Sequence, residues 1–127
     1  MRLHSHLALV AAGALALAAL GVPHAGVAAE PGSRAAIDQA AAVNTELALA
    51  YMREGNLKAA REKIDKALQQ DARTANTQMA AGFVYDKLGD KKKALSHFEQ
   101  AVKLGGKDNP DVVANAAVYF CMNGEPK

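Results

Sequence analysis

Apolar residues recur at helical spacing through residues 41–106, and their order in the first half of this stretch returns in the second half thirty-four residues later. The matched pairs are Leu47 and Ala81, Ala48 and Gly82, Tyr51 and Tyr85, Gly55 and Gly89, Leu57 and Lys91, Ala60 and Ala94, Ile64 and Phe98, and Ala67 and Ala101. Most pairs keep their size and type. The pattern predicts two copies of one unit, each made of two antiparallel helices that approach closely at the small residues.

Glycines mark the turns inside each predicted unit. Gly55 and Gly89 are each followed by a residue that can cap the next helix, Asn56 or Asp90. We expect helices over these spans: from Ser33 or Asp38 to about Glu54, then about 56–70, 74–88 and 90–104.

The pattern begins a third time near the end of the chain. Gly105 and Gly106 favour the left-handed conformation that ends a helix, so the second unit should stop there. After one extra residue in the connection, the third occurrence consists of Pro110 at a helix start, then Val113, Ala116, Ala117, Phe120 and Gly124. We predict repeats over about 41–74 and 75–108 and the first helix of a third over 110–127, all within one helical domain at 38–127.

A repeat of this length with this alternation of small and large residues resembles the tetratricopeptide repeat (TPR) family. The resemblance implies an all-α fold, a solenoid of antiparallel helix pairs with two full repeats and the first helix of a third. A generic pair of amphipathic helix hairpins is the alternative.

A narrower resemblance concerns the type IV pilus biogenesis TPR proteins called PilF or PilW. It is carried by the segments 44–51, 60–68 and 111–121, of which the third is the most distinctive. Six residues there fit the family pattern, namely Asp111, Val112, Val113, Asn115, Phe120 and Cys121, whereas Ala114, Ala116 and Ala117 depart from it. Family members are outer-membrane lipoproteins with more repeats, and they help a secretin to assemble. This chain has no cysteine near its amino terminus to carry the lipid.

Residues 1–29 have the pattern of a secretory signal peptide. Arg2 precedes an uncharged Ala/Leu run at 7–20. Pro23 follows this run as a helix breaker, and small residues at 27–29 permit cleavage before Glu30. A linker and helix start at 30–37 would follow. We therefore expect a periplasmic or secreted protein without membrane contact in its mature form, and an uncleaved membrane anchor is the alternative.

Composition argues against several classes of function. The chain has 127 residues and a formal net charge of only +2, with mixed charges along its helices, so a nucleic-acid partner is not expected. Without the signal, His97 is the only histidine and Cys121 the only cysteine. We expect a partly exposed surface position for the histidine. The cysteine is expected to be a small apolar residue of the terminal helix, with an intermolecular disulfide as the alternative. No enzyme activity, cofactor or metal site is predicted, and the lysine run 91–93 is interpreted as a solvated face.

The remaining candidate site is the surface formed by the first helix of each unit. We expect a protein or peptide partner to bind there in a groove formed by Thr45, Glu46, Leu49, Met52, Arg53, Asn76, Met79, Phe83, Asp86, Lys87, Asn115, Val118, Cys121 and Met122. Methionine is flexible and polarizable, which suits an adaptable binding surface. The expected function is a non-enzymatic periplasmic scaffold. Two alternatives remain: these side chains only pack under neighbouring segments, or the chain is a truncated fragment of a longer array without binding activity of its own.

Overall fold

The structure is a computed structural model that describes residues 30–124. This part of the chain consists of five α-helices and the segments that connect them. The helices are α1 Arg34–Arg53, α2 Leu57–Gln70, α3 Ala75–Lys87, α4 Lys91–Gly105 and α5 Pro110–Asn123. Within residues 30–124 there is no β-strand. The all-α solenoid architecture is confirmed. The predicted signal peptide at 1–29 and the last three residues lie outside the described residues.

The two helix hairpins close through the same local structure. Gly55 and Gly89 adopt φ values of 77° and 82°, in the left-handed region that glycine enters at low cost. The Asn56 side chain then accepts a hydrogen bond from the Ala59 N–H at 3.2 Å, and Asp90 accepts one from the Lys93 N–H at 3.1 Å. Each cap satisfies one of the N–H groups that a helix start leaves without an intrahelical partner.

Side-chain contacts show that the helices of each pair run antiparallel. Gly82 of α3 packs on Phe98 of α4, while Asp86, one turn further along α3, contacts Lys91 at the start of α4. In the first pair the Asn44 amide donates to Gln70 Oε1 at the far end of α2, at 2.8 Å.

First helices stack on one another in parallel along the solenoid. Thr45 Oγ1 of α1 lies 3.1 Å from Thr77 Oγ1 of α3, and the Tyr119 hydroxyl of α5 donates to Asp86 Oδ1 of α3 at 3.0 Å. The residue offsets of these two contacts nearly equal the repeat length. The first helices α1, α3 and α5 therefore share one face of the molecule.

The core repeats the small and large positions of the sequence pattern. Ile64 and Phe98 are fully buried at equivalent places in α2 and α4, and Ala60 and Ala94 are buried one turn before them. The other fully buried alanines at repeat positions are Ala48, Ala67, Ala81, Ala101 and Ala116. Small side chains let the helix backbones approach, and the large ones fill the space beside them.

The expectation that Gly105 and Gly106 end α4 in the left-handed conformation is wrong. Gly106 has a φ of −63°, in the ordinary helical region, and its N–H donates to Val102 O at 2.8 Å. Gly105 serves a different purpose, since a Cβ atom there would lie 2.6 Å from Cβ of Ala75. Because Gly105 has no side chain, the backbone of α4 can pack directly against the Ala75 side chain at the start of α3.

The predicted register of the third helix is also wrong by one residue. Ala116 and Tyr119 are the buried positions of α5, and they follow Gly82 and Tyr85 by the unchanged interval of thirty-four residues. Ala117 is exposed and Phe120 is only half-buried. The Tyr119 ring packs on Phe98 at a centroid distance of 4.2 Å, and this contact sets the rotation of α5 about its axis.

Candidate functional site

Three depressions follow one another along the shared face of the first helices. The first, of about 170 Å³, and the second, of about 180 Å³, lie between α1 and α3 and share Thr45, Glu46 and Asn76. The third, of about 390 Å³, lies between α3 and α5 and shares Phe83 with the second. Because neighbouring depressions have walls in common, they form one continuous surface, which we call the first-helix groove.

Most of the predicted site residues are brought together in this groove. The predicted residues that line it are Thr45, Glu46, Leu49, Asn76, Met79, Phe83, Asp86, Lys87, Asn115, Val118 and Met122. Met52 and Arg53 line none of these depressions: Met52 packs against the core from a half-buried position, and Arg53 is exposed at the end of α1. Cys121, also predicted for the groove, is exposed on α5 and lies outside the third depression.

Phe83 occupies the centre of the groove and also supports the core. Its side chain is half-buried, and its ring meets the buried Phe98 edge to face at 5.1 Å and 79°. Edge-to-face pairs of this kind contribute about 0.5–1.5 kcal/mol beyond the area they bury. Removing Phe83 would therefore perturb both binding and folding.

Two of the predicted groove residues are buried in its floor. Met79 is buried, and the Thr45 hydroxyl donates to Ala41 O at 2.8 Å while contacting Thr77 at 3.1 Å. With its hydroxyl engaged inside the protein, Thr45 holds α1 and α3 together rather than offering a polar group to a partner.

At the α5 end the groove is apolar and open. Val118 is 61% exposed and Met122 is 79% exposed, although both are large hydrophobic residues. Both stand on one side of α5 and line the third depression. Exposed apolar side chains that border a concave surface are typical of sites that bind proteins or ligands.

A cluster of polar side chains lies in the wall of the third depression. Asp86 accepts hydrogen bonds from Lys91 Nζ at 2.5 Å and from the Tyr119 hydroxyl at 3.0 Å. Burial acts to raise the pKa of Asp86, but these two hydrogen bonds and the attraction of Lys91 and Lys87 outweigh it and hold the pKa below its ordinary value. Burial, with the hydrogen bond to Asp86, raises the pKa of Tyr119 to about 12, so its hydroxyl remains a donor at neutral pH.

The sequence prediction missed Lys91, Tyr119 and Asn123, which also line the third depression. Tyr119 follows Tyr51 and Tyr85 at the repeat interval, but neither of those tyrosines lines one of the three depressions, so the repeat pattern gives no signal for Tyr119 as a groove residue. Lys91 begins the second helix of its pair, and its Nζ lies 2.5 Å from Asp86 Oδ1 in the wall of the third depression. Lys91 and Lys93 are exposed and pair with Asp86 and Asp90.

His97 belongs to a polar cluster between the two helix pairs. Its ring stacks on Tyr85 at 5.3 Å and 11°, its Nδ1 lies 2.7 Å from Gln78 Oε1, and the Tyr85 hydroxyl donates to Asp65 Oδ1 of α2 at 2.5 Å. The histidine is therefore engaged with other side chains rather than free at the surface. Burial lowers its pKa, with a further lowering by Lys93 that Asp65 and Asp90 oppose.

The contacts of this cluster hold the two helix pairs together. The hydrogen-bond partner of His97 is an amide, not a nucleophile, and burial together with the bond to Asp65 raises the pKa of Tyr85 to about 12. The cluster lies outside the first-helix groove. Its contacts connect α2 of the first pair to α3 and α4 of the second.

Among residues 30–124, no helix is both long and apolar enough to cross a membrane. The same residues contain no group of three or more histidine, cysteine or acidic side chains placed to hold a metal ion.

Residues 39–105 match the family model described as tetratricopeptide repeat, a stretch that runs from α1 to the end of α4. An uncharacterized protein of Haemophilus influenzae (strain ATCC 51907 / DSM 11121 / KW20 / Rd) is 34% identical over 82 residues, which is 65% of the chain and 45% of that protein. The chain thus spans less than half the length of this relative. No solved structure matches the chain significantly.

Proposed function

The chain belongs to the tetratricopeptide repeat family, and from this premise we propose that it is a non-enzymatic scaffold that binds a peptide or protein segment in the first-helix groove. Repeats of this family typically serve as protein-interaction modules without catalysis of their own. The observation that carries the proposal is the continuity of the groove across α1, α3 and α5, with the exposed apolar residues Val118 and Met122 along its border.

Two exposed valines offer a matched pair of variants to test this function. Val118 of α5 is 61% exposed and lines the groove, whereas Val43 of α1 is 53% exposed and lines none of the three depressions. Val118→Asn should weaken the binding of a groove peptide about tenfold, which corresponds to about 1.4 kcal/mol. Val43→Asn makes the same change in helix propensity and should leave binding unchanged.

The measurement begins with a display library of random twelve-residue peptides selected on the purified chain. Fluorescence anisotropy then gives the Kd of each enriched peptide for the wild type and for both variants, with circular dichroism melts to show that the variants fold. If no peptide is enriched, or if every enriched peptide binds the two variants equally, the groove is not a binding site. That result would favour the alternative of a segment with no binding activity of its own.

The proposed location is the periplasm or the extracellular space after cleavage of residues 1–29. The support is the sequence pattern alone: a short positive start, an apolar run and small residues before Glu30. Intact-mass analysis of the exported protein should find Glu30 at the amino terminus. Recovery of the form that begins at Met1 from the membrane fraction would contradict this proposal.

A role in type IV pilus biogenesis or secretion is a narrower hypothesis. It rests on the resemblance of α5 residues such as Asp111, Asn115 and Phe120 to the PilF/PilW pattern, and none of the matched proteins adds support to it. Deletion of the gene should then reduce the number of surface pili counted by electron microscopy, and the wild-type gene, but not its Val118→Asn variant, should restore them. Unchanged piliation would remove this hypothesis and leave the scaffold proposal intact.

A further inference from the structure

The first-helix groove carries opposite charges on either side of its apolar middle. Glu46 lines the first two depressions, and Lys87 lines the third. Both side chains are exposed, and neither takes part in an ion pair within residues 30–124. The other charges of the groove are compensated, since Asp38 pairs with Arg34 at 2.8 Å and Asp86 with Lys91 at 2.5 Å.

Apolar side chains separate these two charges. Leu49, Met79 and Phe83 all line the second depression between them. Along α3, Lys87 follows Asn76, which shares two depressions with Glu46, by eleven residues. At 1.5 Å per helical residue this is about 16 Å, the reach of roughly five residues of extended peptide.

Arg53 reinforces this charge asymmetry. It precedes Lys87 by the repeat interval of thirty-four residues, so the parallel helices α1 and α3 both end in an exposed cation at the same edge of the molecule. Cations in the last turn of a helix are also stabilised by the helix dipole. The acidic side chain of Glu46 has no cationic counterpart at the repeat interval, where Ala80 stands.

Building on the proposed function, we propose that the groove selects an extended peptide of defined charge order, with a basic residue opposite Glu46, an apolar middle over Leu49, Met79 and Phe83, and an acidic residue opposite Lys87. A peptide placed the other way round would bring like charges together at both ends. Exposed charges of this kind contribute more to specificity and association rate than to affinity. The groove therefore fixes the direction in which its partner lies.

Charge exchange between protein and peptide tests the proposal. Peptides from the selection described above, taken only if they distinguish Val118→Asn from Val43→Asn, are measured against Glu46→Lys and Lys87→Glu. Each variant should weaken binding about three- to tenfold, since it replaces an exposed attraction with a repulsion. Changing the basic residue of the peptide to glutamate should restore binding to Glu46→Lys, and changing the acidic residue to lysine should restore it to Lys87→Glu.

Exposed charges of α2 provide the matched controls. Glu62→Lys and Lys58→Glu change the net charge by the same amounts but lie outside the groove, so they should leave the Kd unchanged. The effects at Glu46 and Lys87 should also shrink in 0.5 M salt, because screening acts on exposed pairs. The charge order would be overturned if the groove peptides lacked the basic and acidic residues. It would also be overturned if Glu46→Lys and Lys87→Glu bound them no more weakly than the α2 controls do. Either result would leave the scaffold proposal standing. If no groove peptide is found, the proposed function itself fails.

Discussion

Replacing Gly82 by alanine should destabilise the protein, although alanine is the better helix former. An added Cβ at this position would lie 2.8 Å from two carbons of the Phe98 ring and 2.9 Å from a third. Carbon atoms pack best at roughly 3.5–4.0 Å, so the ring would have to move by roughly 0.7 Å. Phe98 is fully buried and is held by Phe83 at 5.1 Å and Tyr119 at 4.2 Å, so it has little room to move.

The expected size of this effect is a difference between two opposing contributions. Alanine in place of glycine in a helix interior gains about 0.5–1 kcal/mol. Overpacking a filled core costs about 1–3 kcal/mol. Gly82→Ala should therefore lower the free energy of unfolding by about 1 kcal/mol, which is a fall in Tm of about 4–8 °C for a domain of this size.

The first repeat supplies the compensating variant. At the equivalent places it has Ala48 facing Ile64, both fully buried, where the second repeat has Gly82 facing Phe98. Combining Gly82→Ala with Phe98→Ile should therefore cost less than the sum of the two single changes, with a coupling of about 1–3 kcal/mol. Urea denaturation followed by circular dichroism measures all four forms. A Gly82→Ala variant more stable than the wild type, or additive single effects, would refute the proposed overlap with Phe98.

Three further changes test the packing and the polar contacts. Ala94→Leu should overpack the fully buried interface of α3 and α4 and cost on the order of 1–3 kcal/mol, so an unchanged thermal melt would show that the register is wrong. Tyr119→Phe should cost about 1 kcal/mol and raise the pKa of Asp86. Because the pKa of Asp86 is lower in the folded protein, its carboxylate stabilises the fold above its unfolded pKa near 4, and this contribution is lost as the pH falls through the folded pKa. Tyr119→Phe should therefore begin to unfold at a higher pH than the wild type in an acid titration followed by circular dichroism. The pKa of His97 is also lower in the folded protein, so the unfolded chain binds a proton more readily below about pH 6.5. The free energy of unfolding of the wild type should therefore decline as the pH falls below about 6.5, whereas denaturation curves of His97→Gln should show no such decline.

The local structure of this protein could be predicted from its sequence alone. Gly55 with Asn56 and Gly89 with Asp90 specify the two hairpin turns through conformational freedom and capping, which involve only residues close in the chain. The thirty-four-residue interval and the alternation of small and large residues then indicate antiparallel pairs that stack in register. The same reasoning brought the candidate groove residues of α1 and α3 to one face, because residues at equivalent repeat positions share a face. It does not account for Asn115, Val118 and Met122 of α5, which the shifted register assigns to the groove and which line the third depression all the same.

The rotation of each helix against its neighbours was decided only by the tertiary structure. One residue of register corresponds to about 100° around a helix, so a shift of one residue separates the buried Tyr119 from the half-buried Phe120. Tyr119 takes the buried place because its ring fits against Phe98 while its hydroxyl reaches Asp86. The close approach at Gly105 likewise depends on a contact between residues thirty positions apart. Such contacts depend on the shapes of both surfaces at once, and a periodic pattern along one chain contains no measure of how two surfaces fit.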